Sequence, residues 1–304
     1  MSIIEKAAAK LDSRTLKDDV SIIENAANKL DGKQESTAIG NITPGDRIIK
    51  SRASDTNAKL IKPKRLALNF SKLRHYGIIT PEDKKTAITE QFRVIKRPLL
   101  TNSFNKGAGA IKNGNLIMVS SSLAGEGKSF CAVNLAMSIA MEMDHTVLLV
   151  DADVARPMIP KILGLGDEKG LLDVLLDDKL DLTEVLIKTN IEKLSIMTAG
   201  SQQPNANELL ASQSMGLLLK ELVHRYEDRI IIFDSPPLLL TSEARVLASQ
   251  MGQIVLVVEA EKTSQQTVRE SLRQIESCEV VNLVYNKARS FSDKDLYVTY
   301  DDQY

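Results

Sequence analysis

The chain has 304 residues, 43% of them hydrophobic, with a net charge of −1 and two cysteines. It is long enough for one sizeable core with appendages. Near-neutrality excludes a global attraction to nucleic acid or anionic lipid, so no nucleic-acid partner is expected. Cys131 and Cys278 have neither a metal-ligand spacing nor a disulfide framework and read as inert core thiols of a reducing compartment.

The N-terminal region holds a repeat: "SIIEKAAAKLD" from Ser2 returns as "SIIENAANKLD" from Ser21. Each copy starts with a serine followed three positions later by glutamate (Glu5, Glu24), the capping-box pattern, and carries an apolar stripe. Residues 1–31 therefore read as two short amphipathic helices, docked either on their own domain or on another protein. From Gly32 to residue 80 the composition turns polar and reads as a flexible linker, with one short ordered piece near Leu66 to Leu73. The basic run from Lys59 to Arg74 reads as a solvated linker in preference to a membrane contact. Thr80 and Pro81 in "TPEDKKTAITEQFRVIKRPLL" look like the cap and first position of a helix leading into the main domain.

Beyond Gly114, the apolar runs "NLIMVS", "TVLLVD", "KLSIMT", "RIIIFD", "QIVLVV" and "VVNLVYN" alternate with helical stretches such as Phe130 to Met143 and Ala206 to Tyr226. Such a series predicts an α/β domain over 81–286, a mostly parallel twisted sheet with helices on both faces. Its ligand belongs outside the carboxyl ends of the strands. No apolar run reaches the roughly 18 residues of a membrane span, so a soluble chain with borrowed membrane attachment is expected.

The first apolar strand ends in "SSSLAGEGKSF". A strand, a glycine-containing loop and Lys-Ser at a helix start are the parts of a phosphate cradle. Gly125, Glu126 and Gly127 would present backbone N–H groups to phosphate oxygens, Lys128 would supply charge to the β and γ groups, and the Ser129 hydroxyl would ligate Mg²⁺. Phe130 belongs to the same nucleotide contacts. Ser122 stands where the usual loop has its first glycine. "LLVDADVARP" and "IIIFDSPPLL" bring Asp151, Asp153 and Asp234 to strand ends beside this loop. Carboxylates there are costly unless a cation pairs with them, which nominates Mg²⁺ on nucleotide phosphates.

These residues resemble the bacterial tyrosine autokinases of exopolysaccharide export, which share the P-loop fold of MinD-like and ParA-like ATPases. "GEGKS" looks like their Walker A segment, "VDADVARP" like Walker A′ and "IIFDSPP" like Walker B. "EQFRVIKRPLL", "PNANELL", "TSEARVLA" and "LVYNKA" extend the resemblance over about residues 80–304, and "SIIEKA" with "IKRPLL" looks most like the subgroup beside exosortase-type loci. Ala155, Glu243 and Lys96 depart from the family's usual residues, and Leu123 stands where MinD-like ATPases carry a signature lysine.

The resemblance implies ATP and Mg²⁺ as cofactors and autophosphorylation in trans of a tyrosine-rich tail. Residues 287–304 supply such a tail, with Tyr297, Tyr300 and Tyr304 as acceptors and a reach of roughly 60 Å. Asp151 would orient or deprotonate the tyrosine, with Asp153 assisting at the metal, Ser129, Asp151 and Asp234 on Mg²⁺, and Arg156 supplying a cation. Asn286 would read adenine or simply cap its strand. Glu90, Arg93 and Arg97, on one helical face, would join subunits into a homo-oligomeric ring. The expected partners are a membrane-embedded polysaccharide co-polymerase or chain-length regulator as activator, and a tyrosine phosphatase. The protein would be cytoplasmic and peripheral at the inner membrane through that partner. An ATP-driven positioning switch and a nucleotide-bound structural partner of an export complex are the alternatives.

Overall fold

A computed structural model describes residues 64–83, 86–107, 109–225 and 228–289. The N-terminal repeat, most of the expected linker and the three tail tyrosines lie outside these residues.

Eight strands form one sheet: β1 (Arg65–Leu66), β2 (Leu116–Ser121), β3 (Thr146–Asp151), β4 (Ile187–Thr189), β5 (Leu194–Met197), β6 (Arg229–Asp234), β7 (Gln253–Glu259) and β8 (Val280–Asn286). Their spatial order is β1-β4-β5-β3-β6-β2-β7-β8. The six strands foreseen as apolar runs are parallel to one another. The short pair β4 and β1 extends the sheet past β5, with β4 antiparallel to β5. The helices are α1 (Phe70–His75), α2 (Ala87–Phe104), α3 (Lys128–Ala140), α4 (Ile159–Leu163), α5 (Leu171–Leu176), α6 (Leu182–Val185), α7 (Ala206–Leu210), α8 (Gln213–Arg225), α9 (Ser242–Ala248) and α10 (Gln265–Arg273).

The apolar strands are apolar throughout because both faces are covered. Leu116, Met118, Leu148, Val150, Ile231 and Phe233 enter one core, which also takes up α5, α8 and α9 residues. Ile117, Val119, Val147, Leu149, Ile230 and Ile232 enter the other, with α3 and the inner face of α2. Alternate residues of a strand point to opposite faces, so one six-residue run serves two cores.

Three expectations are corrected. The linker does not extend to residue 80: Leu68, Leu73, Ile78 and Ile79 are buried in the α2–α3 core, and β1 pairs in register with β4. The ordered piece expected near Leu66 to Leu73 is present as β1 and α1, and thin hydrophobicity concealed the rest because a few well-spaced side chains suffice to anchor it. The helix foreseen from Thr80 starts at Ala87, with the Thr86 side chain accepting from Thr89 N–H. Thr80 N–H and its hydroxyl instead donate to Asp83 Oδ2, making a separate turn. Finally, the stretch from Ala206 to Tyr226 is broken at Ala211 and Ser212, between α7 and α8.

Helix α2 presents Arg93 and Arg97 to solvent, with Glu90 half-buried and paired to Arg93 at 3.1 Å. Lys96, one turn on from Arg93, is turned towards the protein. It is 5% exposed, donates to Ser138 O at 2.7 Å and pairs with Glu142, fastening α2 across the end of α3. A cation at a helix C-terminus also meets the negative end of its dipole. The hydrogen bond from Lys96 holds the Glu142 carboxyl below its ordinary range, against the opposing effect of burial. Lys96→Met should destabilise the protein by about 1.5–3 kcal/mol, the range for a hydrogen bond made by a charged group. The Glu142 share of that difference should fade as pH falls through the carboxylate range, because a depressed acid stabilises only while ionised. Chemical denaturation of both proteins at neutral and acid pH measures each effect.

Candidate nucleotide and phosphoryl-transfer site

Strand β2 runs straight into the loop 122–127 and then α3, whose first residue is Lys128. Gly125 and Gly127 have φ of 88° and 99°, the left-handed region that favours glycine. At Gly127 a Cβ would also collide with the Asn286 side-chain amide. The loop lies between two sequentially distant walls, since β6 and β7 flank β2 on either side. A helix N-terminus of the kind suited to an anion thus stands at the carboxyl edge of the sheet.

The charged groups converge there. Lys128 Nζ is 2.7 Å from Asp153 Oδ2 and 3.6 Å from Asp234 Oδ1, and it donates to Ser129 Oγ at 3.3 Å. Burial lowers the Lys128 pKa, yet Asp234, Asp153 and Asp151 together raise it above that of an ordinary lysine. Asp234 is fully buried and neither carboxylate oxygen has a hydrogen-bond partner. Desolvation pushes it up to about 6, against the pull of Lys128 and Ser129. An orphaned buried carboxylate next to a serine hydroxyl fits a hard divalent cation whose remaining ligands are phosphate oxygens and water.

Asp151 is also fully buried, but both its oxygens are engaged: Oδ1 accepts from Asp153 N–H at 3.3 Å and Oδ2 from Ile159 N–H at 3.0 Å. Burial and the neighbouring Asp234 raise its pKa well above the usual value. It lies behind the site, shaping the 152–159 loop, whereas Asp153 lies in the pocket wall. A pocket of about 560 Å³ opens over these groups. Gly125, Gly127, Lys128, Ser129, Phe130 and Arg156 line it, and Met158, Ile162, Pro236, Pro237 and Leu240 add an apolar wall that single-residue reasoning had not assembled.

Glu126 and Asn286 also make contacts on the protein side of the loop that the sequence did not indicate. The Glu126 side chain turns away from the pocket and is 2% exposed. Its carboxylate accepts from Leu123 N–H at 2.6 Å and Glu259 N–H at 3.4 Å, and from the Thr263 hydroxyl. Asn286 donates its side-chain amide to Glu126 O at 2.8 Å, so the strand-end asparagine grips the loop. Lys287, which the sequence reading missed, donates to Gly125 O at 2.7 Å and pairs with Glu259 at 3.1 Å. Its position directly after "VYN" was the available signal. Cys131 and Cys278 are free and buried, and burial drives the Cys131 thiol up to about 12, in keeping with inert thiols. Among the described residues no helix is long and apolar enough to cross a membrane.

Comparison with known proteins agrees with this architecture. The ParA family, described as "NUBPL iron-transfer P-loop NTPase", matches residues 112–295. The putative tyrosine-protein kinase CapB of Staphylococcus aureus is 28% identical over 218 residues, which is 71% of this chain and 91% of that protein. The tyrosine-protein kinase YwqD of Bacillus subtilis (strain 168) is 30% identical over 202 residues, 66% of this chain and 81% of that one. Among solved structures, the chimerical protein CapA2B2 is 29% identical with a TM-score of 0.57, covering 73% of this chain and 93% of its own.

Two measurements test the site. Glu126→Ala should weaken nucleotide binding about tenfold or more, since each hydrogen bond to a charged group is worth about 1.5–3 kcal/mol; titration calorimetry with an ATP analogue reads this. In metal-free, nucleotide-free buffer, stability should decline as pH rises through about 6, because Asp234 prefers its protonated form in the fold. Asp234→Asn should flatten that part of the pH profile, as followed by thermal unfolding.

Proposed function

We propose, from the premise that the chain belongs to the ParA-type P-loop NTPase family and groups with the tyrosine-protein kinase YwqD, that it is an ATP-dependent protein-tyrosine kinase acting on its own C-terminal tyrosines. The observation that carries this reading is the adjacency of two unlike surfaces. A phosphate loop with buried Lys128, Asp153 and Asp234 adjoins an apolar wall of Met158, Ile162, Pro236, Pro237 and Leu240. The first suits a triphosphate, and the second suits an aromatic ring delivered beside it. A chain that ends in "YVTYDDQY" carries the matching acceptors Tyr297, Tyr300 and Tyr304.

Phosphoryl transfer depends on positioning and charge neutralisation. In this mechanism Lys128 exchanges Asp153 for phosphate oxygens when ATP binds, and the amides of 125–128 hold the β-phosphate. Ser129 and Asp234 would hold Mg²⁺, which when bound neutralises charge on the β- and γ-phosphates. The tyrosine oxygen attacks the γ-phosphorus as the bond to the β,γ-bridging oxygen breaks, and ADP carries away the leaving oxygen. The phenolic proton passes to Asp153 Oδ2, left free at the pocket surface when Lys128 turns to phosphate, while Asp151 fixes the loop behind it. Arg156, exposed on the pocket rim, lowers the cost of the forming phenolate. Asn286 holds the loop through Glu126 O, and the resemblance assigns to this strand end the amide that would read adenine.

Transfer in trans accords with the exposed Arg93 and Arg97 and the half-buried Glu90 on α2, which together would form a self-association surface for a ring. A membrane-embedded polysaccharide co-polymerase would be the activator, placing the kinase at the inner membrane and regulating polysaccharide polymerisation or export. A tyrosine phosphatase would reset the tail.

Mixing a Lys128→Met chain with an active chain lacking residues 297–304 should label the Lys128→Met tail when Mg-ATP is supplied, as read by phosphosite mass spectrometry. Lys128→Met alone should stay unlabelled yet folded. Nucleotide hydrolysis with no tail labelling in any mixture would refute the kinase reading and favour an ATP-driven switch.

A further inference from the structure

A second concavity of about 950 Å³ continues from the nucleotide pocket, sharing Ala155, Arg156 and Met158 with it. It runs outward between α4 with the 165–169 loop on one side and the turn after β5, residues 198–202, on the other. Arg156, Lys161 and Lys169 line it and are all exposed. None of the three makes a side-chain ion pair with another described residue. Of the two acids on the same wall, Glu168 is taken by Lys64, which leaves Asp167 alone against three cations.

We propose that this groove receives the acidic flanks of the C-terminal segment, residues 290–304, of a second copy of the chain, with Lys161 and Lys169 selecting it. The inference rests on the kinase reading and adds what chooses the substrate. Segment 290–304 contains Asp293, Asp295, Asp301 and Asp302 against a single lysine, Lys294. Asp301 and Asp302 directly follow Tyr300. With an acceptor ring against the apolar wall, residues one and two positions on lie about 3–7 Å further along an extended chain, where the groove begins. Opposite charges in register give specificity and faster encounter more than bulk affinity.

The topology favours a second copy over the chain's own tail. The described chain leaves the sheet after β8, at one edge, while the groove opens at the carboxyl ends of β3 and β5. A tail reaching it in cis would lie across the ends of β7, β2 and β6, where the phosphate loop and Asp234 stand. A second copy's tail enters from the groove's outer end and leaves the nucleotide in place.

The test uses two full-length chains at low salt: a kinase with Tyr297, Tyr300 and Tyr304 changed to Phe, and a donor carrying Lys128→Met. Initial rates of donor labelling are measured against donor concentration. Adding Lys161→Glu and Lys169→Glu to the kinase should raise the half-saturating donor concentration about tenfold, the scale of several partly exposed charge pairs turned repulsive. The saturating rate and the rise in melting temperature on adding an ATP analogue should stay unchanged. A donor with Asp301→Lys and Asp302→Lys should recover most of the loss with the reversed kinase. Unchanged half-saturation, or a loss that the reversed donor does not recover, would overturn the groove assignment while leaving the kinase reading intact. No labelling of any donor by the parent kinase would overturn both.

Discussion

Three buried aspartates and one buried lysine at the carboxyl edge of the sheet are the constraint around which the molecule is arranged. Asp151, Asp153 and Asp234 arrive on β3, the turn after it, and β6, and Lys128 arrives on the first turn of α3. A single ammonium cannot compensate three carboxylates in so dry a place, and Asp234 is left without a hydrogen bond. Burial accordingly raises Asp151 and Asp234 toward neutrality. The fold holds this uncompensated charge because the strands that deliver it are locked between two apolar cores. Perturbed groups of this kind mark a place built for an additional cation and for phosphate.

The phosphate loop is stiffened from the far side. Glu126, Asn286 and Lys287 tie it to the ends of β7 and β8, so its backbone is held by elements more than a hundred residues downstream. An arrangement preorganised in this way presents its N–H groups without rearrangement, which is the form of catalysis phosphoryl transfer most needs. On the opposite side the wall changes character from apolar at Pro236 and Pro237 to cationic at Arg156, Lys161 and Lys169. One edge of the sheet thereby presents three successive surfaces: the glycine loop with Lys128, an apolar wall and a cationic stretch.

Helix α2 is divided in the same sense. Its inner face contributes Phe92 and Leu99 to a core, and Lys96 fastens it to the end of α3, whose start carries Lys128. The outer face keeps Arg93 and Arg97 in solvent. A surface for self-association on α2 would therefore be coupled to the nucleotide site through one packed helix and not through a flexible joint.

The sequence by itself determined the parallel sheet and the identity of the phosphate loop, because continuous apolar runs of six residues and a Gly-x-Gly-Lys-Ser turn are local patterns with few physical solutions. It also placed Asp151, Asp153 and Asp234 at strand ends. Only the tertiary structure decided what those side chains touch. Asp151 proved to face backbone amides, Asp153 the pocket, and Glu126 the protein interior. It alone showed that the segment 64–80 packs into the core as far as Ile79, since four buried apolar side chains leave no periodicity in so polar a stretch. It alone gave Asn286 and Lys287 their grip on the loop, because the strand order β6-β2-β7-β8 brings together residues about 160 apart. Local pattern specifies elements; the contacts between sheet neighbours distant in the chain are set by which faces the two cores bury.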